Sequence, residues 1–138
     1  MTQEMVMVEK YRILEKEKGK YYNSARTKAR MEAYIREASA ERRAYSKAHN
    51  ATKLAEAGEK LWGATNYLLE LKANRSISTT KEAKAALAEL KDKELSKVYD
   101  EAFLLHTFFY GWTEDMDKIV DTFDSALEGL ETLNKETG

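Results

Sequence analysis

Two histidines are the only side chains in this sequence that ordinarily change charge near neutral pH, and each sits among residues that give it chemical meaning. His106 lies in the run Leu104-Leu105-His106-Thr107-Phe108-Phe109-Tyr110-Gly111-Trp112 and shares a helical face with Tyr99, Phe103 and Tyr110. An imidazole placed there can pass a proton to a ligand, or it can pack between rings and bond to a neighbouring helix. His49 follows Arg42 and Arg43 and precedes Asn50, where a turn is expected.

A second run, Glu59-Lys60-Leu61-Trp62-Gly63-Ala64, combines an acid, a base and a large aromatic. Glu59 and Lys60 suggest an exposed or interfacial ion pair, worth about 0–1 kcal/mol. Trp62 and Trp112 are apolar anchors with one N–H donor each. Glycine inside a helix costs about 1 kcal/mol, so Gly63 implies close approach of another helix. Ligand or interface candidates are therefore Glu59, Lys60, Trp62, His106, Tyr110 and Trp112.

Other chemistries find little support. Cysteine is absent, which removes disulfides, thiolate catalysis and cysteine zinc sites and is compatible with a cytoplasmic location. Two distant histidines form no His-x-x-His pair, and no Glu-x-x-His repeats as di-iron bundles require. Glu114-Asp115 and Asp117 are better explained by helix-start electrostatics than by calcium. No glycine-rich phosphate loop occurs, so no metal or cofactor is expected.

The elements that must position these residues read as helices throughout. Proline is absent, only six glycines occur, and Ala, Leu, Glu and Lys dominate. At 138 residues, 43% hydrophobic and 34% charged, the chain suits one domain of amphipathic helices. No apolar run approaches the roughly 20 residues that span a bilayer, and the start does not read as a signal peptide.

Periodicity predicts a helix over 1–18 with Met7, Tyr11 and Leu14 on one face, a break at Gly19, and an Ala-rich helix over 22–48 carrying Tyr34, Ala38, Tyr45 and Ala48. A helix over 51–73 places Leu54, Ala57, Leu61, Ala64, Leu68 and Leu71 along one seam. Thr79 with Glu82 forms a capping-box pattern before a helix ending near Leu90, and residues 91–93 read as a kink or loop. The helix over 94–110 should bury Leu95, Val98, Ala102, Leu105 and Phe109, with Gly111 as its stop. Thr113 should cap the last helix, which turns Met116, Ile119, Val120, Phe123, Leu127 and Leu130 inward. The expected fold is all-α, an antiparallel up-and-down helical bundle.

Charge is distributed unevenly around a net of −1. Residues 10–53 hold 13 Lys/Arg against 5 Asp/Glu, whereas residues 100–136 hold 10 Asp/Glu against 2 Lys/Arg. Such halves can attract each other, within one chain or between two; the basic half can also attract a phosphate backbone.

The two motif runs, in this order and spacing, resemble the archaeal PaREP family (type one) of the HEPN-like helical superfamily. The likeness runs from about Tyr34 to Leu133 and implies a HEPN-like domain over 34–138, leaving 1–33 as an N-terminal helical extension. It implies a HEPN-like bundle, often a homodimer, in a family whose members mostly lack an established role. Many superfamily members are metal-independent ribonucleases carrying Arg, four to six residues, then His. Here the corresponding positions before His106 are Tyr99, Asp100 and Glu101; none is basic, and two would repel a phosphate.

Arg43 and Arg42 stand at that spacing before His49, in a different helix from the family's site. The resulting expectation is a non-catalytic binding and dimerisation module whose partners include nucleic acid, a nucleotide or another protein, with no membrane. The alternatives are an endoribonuclease using His106, or His49 with Arg43, and a purely structural interaction subunit.

Overall fold

The computed structural model describes residues 22–111 and 115–137. The expected helix over 1–18, Trp112 and Thr113 lie outside them. Among the described residues five helices follow in order: α1 (Ser24–Ala48), α2 (Ala51–Ala73), α3 (Thr80–Leu90), α4 (Lys93–Phe109) and α5 (Met116–Glu136). Helices α1, α2, α4 and α5 form the bundle and α3 is a short insert packed on α2; among the described residues helix is the only regular structure. None of these helices is long and apolar enough to cross a membrane.

The boundaries follow from local capping. Asn23, Asn50, Thr79, Asp92 and Asp115 each take an extended backbone and accept an N–H from the first helical turn on the side chain, satisfying otherwise orphaned donors. Thr79 accepts from Glu82 at 3.1 Å, while the Glu82 carboxylate reaches back to the Ser78 N–H. The left-handed residue ending α1 is His49 (φ 51), and Asn50 instead caps α2. Asp115, rather than Thr113, caps α5, since its carboxylate accepts from Asp117 N at 2.9 Å.

The seam expected on α2 is the middle of the core: Leu54, Ala57, Leu61, Ala64 and Leu68 are fully buried, joined by Leu69 and Thr65. Thr65 is tolerated there because its hydroxyl donates to the Leu61 carbonyl at 2.8 Å. From α4 come Leu95, Val98, Ala102 and Leu105, and from α5 Ile119, Phe123, Ala126, Leu130 and Leu133. Met116, Val120 and Leu127 flank this core, only partly covered.

Phe109 departs from expectation at 40% exposed, because it belongs to the last turn of α4, beyond Leu105, the last buried residue of that helix. Ala48 is likewise exposed in the last turn of α1. That helix buries Thr27, Met31 and Ala38, so residues 24–33 of the extension set apart above are the first part of one unbroken helix with its own share of the core.

Charge complementarity operates within the chain. Arg42 of α1 binds Asp124 of α5 through two bonds, Nε to Oδ1 at 3.0 Å and an Nη to Oδ2 at 3.1 Å. Lys72 of α2 lies 3.6 Å from Glu136 of α5.

Candidate functional site

Helices α2 and α4 run antiparallel and pack closely at Gly58. A Cβ on Gly58 would lie 3.1 Å from Leu105 Cβ and 3.6 Å from the Leu105 carbonyl oxygen. Glycine removes that obstacle, and the helix surfaces close until the residues beside this contact meet. They are Glu59 and His106, with Glu59 Oε2 2.8 Å from His106 Nδ1. A carboxylate can only accept, so the Nδ1–H donates and Nε2 is the ring's other hydrogen-bonding atom.

Aromatic rings surround this pair. Trp62, one turn along α2 from Glu59, stacks on the imidazole with centroids 5.0 Å apart and planes at 21°. Tyr110 meets the imidazole edge-on at 4.9 Å, and Phe103 lies 6.2 Å away. Trp62 also contacts Tyr99 at 5.1 Å and Phe103 at 5.7 Å. The α4 stripe climbs from core to solvent: Tyr99 is 4% exposed, Phe103 45% and Tyr110 66%. Burial, followed by the neighbouring Asp100 charge, pushes the Tyr99 phenol above its ordinary pKa and keeps it protonated.

Two residues expected beside each other in function point different ways. Glu59 faces α4, whereas Lys60 turns to α1, where it binds Glu37 at 2.9 Å and sits 5.0 Å from the centre of the Tyr34 ring. The bond to Glu37 raises the Lys60 pKa, outweighing the opposing effect of burial. Gly63 makes room for a ring rather than for a backbone: a Cβ there would fall 2.6 Å from Tyr34 Cε2.

The His49 group does not assemble. His49 is an exposed helix end whose ring contacts Tyr45 edge-on at 5.8 Å. The Arg42 guanidinium is held by Asp124 and Ser46, and Arg43 projects into solvent. Among the described residues no polar contact joins either arginine to His49. No group of three or more His, Asp or Glu side chains gathers there to hold a metal.

The sequence reading of His106 as packed between rings and bonded to a neighbouring helix holds, but Glu59 could not be named as its partner because the two stand 47 positions apart. The only hint was an acid beside Gly58 and an imidazole beside Leu105, with nothing local to relate them. Chemically, the arrangement fixes one tautomer of a partly exposed imidazole, turns Nε2 away from Glu59, and sets the ring in an aromatic surface. Comparison with protein-family models, curated proteins and solved structures finds no match for this chain.

Proposed function

We propose that this chain is a HEPN-like binding and dimerisation module that engages its partner through the aromatic face of α2 and α4 and breaks no bond. The observation supporting this is the exposure of Phe103 and Tyr110 on either side of the His106 ring, next to its bond with Glu59. Large exposed rings grouped on one face mark interaction sites more often than isolated ones do. The resemblance to the PaREP and HEPN-like proteins adds a homodimer, with nucleic acid, a nucleotide or a protein as the further ligand.

The test is sedimentation over a wide concentration range, for the parent chain and for a Phe103→Ser/Tyr110→Ser variant with unchanged helicity. A dimer that the variant loses supports the reading; a parent chain monomeric throughout overturns the dimer.

One observation favours a second reading. A carboxylate-oriented imidazole is half of a proton-transfer device, so an endoribonuclease using His106 would need only a phosphate-binding cation from elsewhere. Incubation with a mixed RNA pool without added metal should leave the RNA intact. Cleavage abolished by His106→Ala would replace the binding reading with this one.

A further inference from the structure

Folding sorts the charges of α1 by face. Of its three glutamates, Glu37 and Glu41 turn towards α2 and bind Lys60 and Lys53 at 2.9 and 3.4 Å. Arg42 turns towards α5 and binds Asp124. The residues opposite buried Ala38 are left facing outward: Arg36, Ala40, Arg43 and Lys47, spaced by four, three and four, with Ala29 and Arg26 continuing the line. All six are exposed. Arg36, Arg43 and Lys47 form no ion pair with any described residue; Glu32 and Glu131 line a shallow hollow beside Arg36 without binding it. The composition alone shows a basic helix; only the packing shows that Glu37 and Glu41 are used on α2 and Arg42 on α5, while Arg36, Arg43 and Lys47 are left unpaired among the described residues.

We propose that this outward ridge of α1 is a binding surface for the phosphodiester backbone of a nucleic acid. The ridge is about 31 Å long from Arg26 to Lys47 at 1.5 Å per residue, a line of charge suited to a linear polyanion rather than to a compact headgroup. Arginine supplies three of its four cations, and its planar fork grips phosphate oxygens in pairs. Between the cations stand alanines, which let a backbone approach and offer no apolar wedge for a lipid surface. No ring lies on this ridge to read bases, so the contact is independent of sequence. The surface is separate from the aromatic face of α2 and α4, and its failure would leave the dimerisation reading of that face standing while removing nucleic acid from its ligands.

The test uses fluorescence anisotropy of a labelled 20-nucleotide single-stranded RNA and a 20-base-pair DNA duplex, titrated with the full chain over a range of salt. Saturable binding to at least one of the two is expected. With four phosphates engaged, log affinity should fall against log salt with a slope of about −3 for a single strand. The variant Arg36→Gln/Arg43→Gln/Lys47→Gln should bind roughly tenfold or more weakly at low salt with a slope near −1, while its helicity stays unchanged. A control, Lys81→Gln/Lys84→Gln/Lys93→Gln, removes equal charge from exposed positions of α3 and α4 and should keep parent affinity.

Three results would overturn the proposal: no saturable binding to either oligonucleotide, equal loss in ridge and control variants, or ridge-dependent binding as tight to poly-glutamate or phosphatidylserine vesicles as to the oligonucleotides. Binding that the Phe103→Ser/Tyr110→Ser variant retains and the ridge variant loses assigns the contact to α1 whatever becomes of the aromatic face.

Discussion

The Glu59 carboxylate and the His106 imidazole meet at 2.8 Å across α2 and α4, beside the one place where Gly58 lets the Leu105 backbone come close. A helix surface with an alanine at 58 would hold the two helices slightly apart, so the pair depends on an atom that is missing. The bond sits at the boundary between core and solvent, with side chains 27% and 29% exposed, so solvent screens part of its strength.

A double-mutant cycle measures that bond. Glu59→Ala and His106→Ala should each lower unfolding free energy by about 1 kcal/mol in urea, with a coupling of about 0.5–1 kcal/mol between them. His106→Ala should be the costlier change because it also removes the stack on Trp62. A coupling indistinguishable from zero would mean that the contact contributes nothing to stability.

Gly63 yields a prediction whose sign depends on its neighbour. Alanine there gains about 1 kcal/mol of helix propensity but drives a methyl into the Tyr34 ring at 2.6 Å. That ring cannot swing aside without disturbing its contact with Tyr67 at 5.6 Å and the Lys60 ammonium above it. Gly63→Ala should therefore destabilise the protein by about 1–2 kcal/mol. In a Tyr34→Ala background the clash vanishes, and the same substitution should stabilise by up to about 1 kcal/mol, read from denaturation midpoints.

Alkaline stability follows from groups held protonated by the fold. The phenols of Tyr99 and Tyr67 are raised above 10.0, chiefly by burial, and Lys60 is raised above 10.5, chiefly by its bond to Glu37. In each case the folded chain keeps a proton that the unfolded chain releases. Their contribution is thus complete below about pH 10 and is lost as pH climbs through the raised values. Urea midpoints should hold from pH 8 to 9.5 and then drop, with tyrosinate absorbance appearing together with unfolding. Tyr99→Phe should shallow that drop; an unchanged pH profile would count against burial as the cause.

Much of the bundle was legible along the chain because its determinants are local. The 3.6-residue recurrence of Leu54, Leu61 and Leu68, and the caps Thr79 and Gly111, act within a turn or two of themselves. Errors fell at helix ends, where periodicity continues after the neighbouring helix has stopped. Phe109 kept the spacing of a core residue after the core had ended at Leu105, and Thr113 offered a plausible cap two positions before the one used. At the end of α1 a turn was expected at His49-Asn50, and His49 takes its left-handed position while Asn50 caps the next helix.

By itself the sequence determined that this protein is helical, where most of its helices begin and end, and which stripe of α2 lies innermost. Hydrogen bonding along a helix and burial of one face are short-range consequences of residue order. Only the tertiary structure decided that Glu59 serves His106 while adjacent Lys60 serves Glu37, and that Glu41 and Arg42 of α1 are paired across the bundle while Arg36 and Arg43 face out. Partners across helices depend on what the missing side chains admit, the Leu105 backbone at Gly58 and the Tyr34 ring at Gly63, an effect that appears only when a second helix arrives.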